Sequence, residues 1–126
     1  MTVKYNVVER SNPSDPEAPR KFYPSIQSTG RVTPRELAEL AAEISSLSTV
    51  DMVAAIESLM VIIPRELAKG NIVELGEFGS FWLKVNAEAA ETPAAVNGSR
   101  ITNVTPSFRP GKELKRMVAD IVFRRN

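Results

Sequence analysis

The chain has 126 residues, a hydrophobic fraction of 43%, a charged fraction of 25% and a net charge of +1, which suits one soluble domain with an appendage. It contains no cysteine and no histidine, which removes disulfides, thiolate nucleophiles, the usual general base and the commonest metal ligands. With no Walker loop, GxGxxG, GxSxG elbow, membrane-length apolar run or secretory signal, it reads as a cytoplasmic binding protein: not an enzyme, without cofactor or metal, and with no membrane or small-molecule partner.

In chain order, Val3, Tyr5 and Val7 alternate with polar residues and predict a strand over residues 3–9. Pro13, Pro16 and Pro19 make residues 11–20 an exposed loop. A second strand is predicted over 22–28, with Pro24 marking an edge position or a bulge. Thr33-Pro34-Arg35-Glu36 reads as a capping box that opens a helix running to about Ser46, with Leu37, Leu40, Ala41 and Ile44 at helical spacing.

Residues 48–51 cap a second helix, about Thr49 to Lys69, that ends at Gly70. From Met52 to Ile63 its apolar residues cover nearly the whole circumference, and a helix apolar all round is buried all round. One short helix and a small sheet cannot cover that surface, so a partner chain is implied. Pro64 is expected to kink the helix near the Met60 carbonyl.

Residues 72–75 predict a strand, Gly76-Glu77-Phe78-Gly79 a turn, and residues 80–86 a strand with Phe81, Leu83 and Val85 on one side and Trp82 on the other. Ala87 to Ser99 is small and polar, with Asn97-Gly98 as a tight-turn signal. Residues 100–108 predict a third strand. A last helix begins at Pro110 or Gly111 and runs to about Val118, and residues 121–123 form a short final strand. The charge is polarised along the chain: residues 33–80 carry three basic against eight acidic side chains, and residues 81–126 carry eight against four.

Three strings occur in order on these elements: Glu66 to Leu75, then Gly76-Glu77-Phe78-Gly79-Ser80-Phe81, then Phe108-Arg109-Pro110-Gly111-Lys112-Glu113-Leu114-Lys115. Together they resemble the HU / integration host factor family of bacterial histone-like proteins over about residues 33–119. The proline-rich N-terminal strand pair is similar to an HU-related branch of that family. The resemblance implies an α+β fold: two N-terminal helices, a three-stranded antiparallel sheet with a β-arm over about 84–102, and a C-terminal helix. A β extension over 1–32 would then precede an HU-like domain over 33–126.

The same resemblance implies a nucleoid-associated homodimer whose arms reach into the minor groove of double-stranded DNA. Carried over by position, Lys84 and Arg100 lie on the strands of the arm, and Arg109, Lys112, Lys115 and Arg116 lie at or near the last helix, where family members contact phosphates. The arm departs from the family pattern. Residues 87–99 hold no lysine or arginine but include Glu88 and Glu91, and Pro93 stands five residues before Gly98 rather than three.

Other readings stay open at this stage. Arg100 is either a phosphate contact or the cross-strand partner of a glutamate. Phe78 and Phe81 read as core. Residues 1–32 are either a lid that pairs with the final strand or a second contact surface through Arg20, Lys21 and Arg31. The chain as a whole is either a DNA-binding protein or a protein-interaction scaffold that keeps the fold and has lost the duplex.

Overall fold

The computed structural model describes all 126 residues. In chain order the elements are β1 (Thr2–Arg10), β2 (Lys21–Ile26), α1 (Pro34–Glu43), α2 (Thr49–Ala68), β3 (Val73–Glu74), β4 (Gly79–Ala87), β5 (Ile101–Pro110), α3 (Lys112–Val118) and β6 (Val122–Arg125). They form an α+β structure with two compact units, one comprising Met1–Thr33 with Val118–Asn126 and the other Pro34–Met117. The tail therefore lies with the N-terminal unit and not within a domain over 33–126, and its pairing is the one that the lid reading of residues 1–32 expects. The reason is pairing: β6 lies parallel to β1, from Thr2 opposite Val122 to Tyr5 opposite Arg125.

The first unit is a sheet of order β2–β1–β6. β1 and β2 pair antiparallel, from Tyr5 opposite Ile26 to Arg10 opposite Lys21. Pro24 stands on the edge strand β2, where a missing N–H does not interrupt an inner ladder. Because side chains alternate along a strand and paired residues point the same way, this register sorts the sheet into two faces. Val3, Tyr5, Val7, Phe22, Pro24, Ile26 and Phe123 lie on one of them.

The second unit opens with α1 packed on α2. Ser48 caps α2, its Oγ accepting from the Asp51 amide at 3.1 Å. The helix continues through Pro64 unbroken to Ala68. At its end the Gly70 amide donates to the Leu67 carbonyl at 2.9 Å and the Asn71 amide to Glu66 at 3.2 Å. Gly70 takes φ +88°, which closes the helix with a left-handed residue that a side chain would strain.

β3, β4 and β5 then form an antiparallel sheet. The predicted strand over 72–75 is only two residues long, because Gly76–Phe78 already coils as a helical turn. On the apolar face of the sheet, Phe81 and Phe108 stack at 4.8 Å between ring centroids and Phe78 approaches Phe108 at 6.1 Å. Two of the strings singled out in the sequence meet at this point. The Gly111 amide donates to the Phe78 carbonyl at 2.8 Å, and Gly79 pairs with Pro110 beneath the Phe108 ring.

Only Ala38 and Leu67 are fully buried among the hydrophobic residues. Leu37 and Leu40 on α1, Ile44 in the loop after it, and Val50, Leu59, Met60, Val61 and Ile62 on α2 are exposed. The chain presents 10526 Å² to solvent, against roughly 6,600 Å² for a typical folded monomer of its 13.8 kDa mass.

Candidate nucleic-acid interface

Parity on β4 sets Ser80, Trp82, Lys84 and Asn86 on the face opposite the phenylalanines. The ladder then places Arg109 beside Ser80, Ser107 beside Trp82 and Thr105 beside Lys84. β3 adds Glu74 next to Ser80. The structure thus brings Lys84 and Arg109, both exposed, onto one polar face. Half-buried Trp82 lies between them and lines a hollow of about 470 Å³ with Ile72, Glu74, Ser80 and Arg109. The sequence put Trp82 opposite Phe81 but did not count it among the site residues. The signal was its parity with Lys84, which makes it an aromatic platform beside two cations.

α3 follows directly on β5, its first turn closed by the Lys115 amide donating to the Gly111 carbonyl at 3.1 Å. Lys112 and Lys115 are exposed and take part in no ion pair. Arg116 differs. Its Nε and Nη2 donate to the Glu113 carboxylate at 3.0 and 2.7 Å, a fork that holds the guanidinium in its charged form even more firmly than usual. Of the three basic side chains expected on this helix, two project freely and one is neutralised by its neighbour.

The arm consists of β4 and β5 out to Ala87 and Ile101, with a register irregularity at Asn86–Ala87. Thr102 Oγ1 donates to the Asn86 carbonyl at 3.2 Å beside it. The predicted tight turn at Asn97-Gly98 does not form, because Gly98 does not take the positive φ that such a turn requires. Asn97 instead caps a short helical turn, its Oδ1 accepting from the Ser99 amide at 3.0 Å, while Pro93 begins another such turn.

Arg100 closes this tip from inside. Its Nη1 donates to the Ala89 carbonyl at 2.8 Å and its Nε to Ala95 at 3.2 Å. It is half-buried, makes no ion pair with a glutamate, and is set apart from the cations at the other end of β5. The unit as a whole holds nine basic against eleven acidic residues, so its cations act by position rather than by excess. No cluster of acidic side chains is placed to hold a metal ion, and no helix is long and apolar enough to cross a membrane.

Residues 1–125 match the model of the HU-HIG family, described as an HU domain fused to wHTH, Ig, or Glycine-rich motif. The chain belongs to this family. Among curated relatives of this HU-HIG protein, integration host factor subunit beta of Marinobacter nauticus is 34% identical over 92 residues, spanning 71% of this chain and 94% of the relative. DNA-binding protein HU of Thermus thermophilus is 32% identical over 89 residues, spanning 69% and 92%.

Among solved structures, a putative bacterial DNA-binding protein from Bacteroides vulgatus superposes with a TM-score of 0.69 at 14% identity and covers 98% of this chain. The HU-HIG chain spans only 47% of that longer protein. The Anabaena HU–DNA cocrystal structure superposes at 0.55 with 24% identity, over 70% of this chain and 98% of its own. At these identities the superpositions establish the fold.

Proposed function

We propose that this HU-HIG chain binds double-stranded DNA as a homodimer, architecturally and with little sequence preference, in a nucleoid-associated role. The observation that carries the reading is the pairing of family membership with two sets of exposed cations, Lys84 and Arg109 on the polar sheet face and Lys112 and Lys115 on α3, none of them in an ion pair. Relatives named for integration host factor and HU, and a fold neighbour crystallised on DNA, support it. The exposed apolar residues of α1 and α2 support the dimer, since a second copy would cover them, and the large solvent-exposed area fits that reading.

In this reading each protomer grips phosphates with Lys84, Arg109, Lys112 and Lys115. Arg116 contributes only when Glu113 releases it, and Arg100 holds the arm in shape. The arm engages through its strands, since its tip is acidic. Titration against random-sequence duplex at about 50 mM salt tests this. Micromolar or tighter binding that weakens linearly in log salt is the expected result, and no binding under those conditions overturns it.

The acidic arm tip favours a second reading, a protein-interaction scaffold on the same fold. Lys112→Glu with Lys115→Glu separates the two. The DNA binder loses its duplex, whereas the scaffold keeps its protein partner.

A further inference from the structure

The first unit carries the positive charge that the second lacks: seven basic against four acidic residues. The strand register concentrates it. Lys4 lies directly opposite Arg124 on β6, and Arg10 directly opposite Lys21 on β2. By parity along β1, both pairs point to the same face, together with Asn6, Tyr23 and Ser25. No carboxylate lies on that face, since Glu9 has the opposite parity and pairs with Arg20 at 4.0 Å. Lys4, Arg10, Lys21 and Arg124 are all exposed and none is in an ion pair.

Like charges directly opposite each other destabilise a sheet. Two such pairs on one face, with nothing on the protein to offset them, are a standing cost that a bound polyanion would relieve. They lie six residues apart along β1, about 20 Å, a length over which a duplex presents roughly a dozen phosphates. At the Arg10–Lys21 end, the Arg10 guanidinium lies over the Tyr23 ring at 6.0 Å, and both border a hollow of about 700 Å³ that Asn12 and Lys21 help to line.

We propose that this basic face of the β2–β1–β6 sheet is a second DNA-contacting surface, which binds the phosphodiester backbone through Lys4, Arg10, Lys21 and Arg124, with Tyr23 beside Arg10. The proposal rests on the DNA-binding reading and extends it to the unit outside the HU-like part. A lipid surface fits less well, because a membrane-binding face carries cations together with large apolar anchors, and here Phe22, Ile26 and Phe123 are on the other side while only Val8, Val122 and Tyr23 accompany the cations.

The test is the slope of log affinity against log salt on a 30-bp random duplex (roughly the length of a small architectural site), read on the full chain. Wild type is compared with Lys4→Gln/Arg124→Gln, Arg10→Gln/Lys21→Gln, the quadruple variant, and Lys112→Gln/Lys115→Gln. Each sheet pair should lower the slope by about 1.8 and the quadruple variant by about 3.6. The charge-preserving exchange Lys4→Arg/Arg124→Lys should bind as wild type does, and Arg125→Gln on the other face should change nothing beyond a tenth of the slope. Removing repulsion should leave the melting temperature equal or higher, and should the quadruple variant not fold, the two double variants decide alone.

An unchanged slope in the sheet variants, with a lowered one in Lys112→Gln/Lys115→Gln, overturns this proposal and leaves the main reading standing. The reverse pattern supports the proposal and removes the helix site. Wild type that ignores duplex overturns both. Binding of the wild type to vesicles rich in anionic lipid but not to duplex, lost in the quadruple variant, gives the face to lipid and overturns the proposal.

Discussion

The two sheets of this chain obey the same parity rule and use it differently. In β3–β4–β5 the apolar face carries the Phe78, Phe81 and Phe108 cluster, while the polar face mixes Lys84 and Arg109 with Glu74. In β2–β1–β6 the polar face has four cations and no anion, and Phe22 and Ile26 on the other side are each 67% exposed. The comparison teaches that charge has to be read face by face, from strand parity, as well as from the sum over a unit. The unit with the family's sequence strings is the more acidic of the two, and the appended unit is the more basic.

Five perturbations break or sharpen this contrast, from the largest effect to the smallest. Ile62→Asp places a carboxylate on the exposed apolar surface of α2. In the proposed dimer it becomes an unpaired buried charge, and stability should fall on the order of 4 kcal/mol. Sedimentation equilibrium with urea denaturation checks this, and a variant that remains dimeric with unchanged stability counts against the interface.

Gly79→Ala strikes the joint between β4 and β5. An added Cβ would lie 2.5 Å from the Phe108 ring and 2.6 Å from the Arg109 carbonyl. The expected loss is about 3 kcal/mol, seen as a lower denaturation midpoint. Glu113→Gln should free Arg116 for phosphate and steepen the salt dependence of duplex binding by up to about 0.9. No change would mean that Arg116 faces away from the DNA.

Lys4→Glu should act in opposite directions on stability and binding. It turns the Lys4–Arg124 repulsion into a cross-strand attraction worth about 0.5 kcal/mol, raising the melting temperature slightly, while duplex affinity falls. The smallest effect concerns Glu66, whose carboxylate accepts from Lys69 Nζ at 3.2 Å and Asn71 Nδ2 at 3.1 Å. The hydrogen bonds from Lys69 and Asn71 hold its pKa below the usual carboxylate range. Its contribution is therefore present above the ordinary glutamate pKa and is lost as the pH falls through the lowered one. Glu66→Gln should flatten that part of the acid unfolding curve by a small amount.

Much of the second unit was legible because its signals are local. Pro34 at a helix start, the Ser48 cap, the Gly70 stop and the alternation of Phe81, Leu83 and Val85 each depend on near neighbours. The strings that carried the family likeness also have a physical cause. Gly79 and Gly111 are positions where the chain passes so close to Phe108 and the Glu77 carbonyl that a Cβ does not fit.

What escaped the sequence is long-range or depends on competition. The pairing of the N-terminal strands with the final strand was one of the two readings, but its parallel register joins residues about 120 positions apart, so the Lys4–Arg124 neighbourhood does not follow from periodicity. The arm tip was misjudged because Asn97 has two uses, and here its side chain caps a helical turn instead of entering a tight one. Arg100 and Arg116 were carried over by position from the family likeness, which does not show local partners, and the structure engages them with the Ala89 and Ala95 carbonyls and with Glu113.

The most direct test of the central claim is the mass of the complex on DNA, measured by sedimentation velocity with a labelled random-sequence duplex. The account predicts that the free protein sediments as two copies of the 13.8 kDa chain and that this dimer moves onto the duplex intact, leaving it again as salt is raised. A free monomer, or a dimer that leaves the duplex unshifted at low salt, would contradict it.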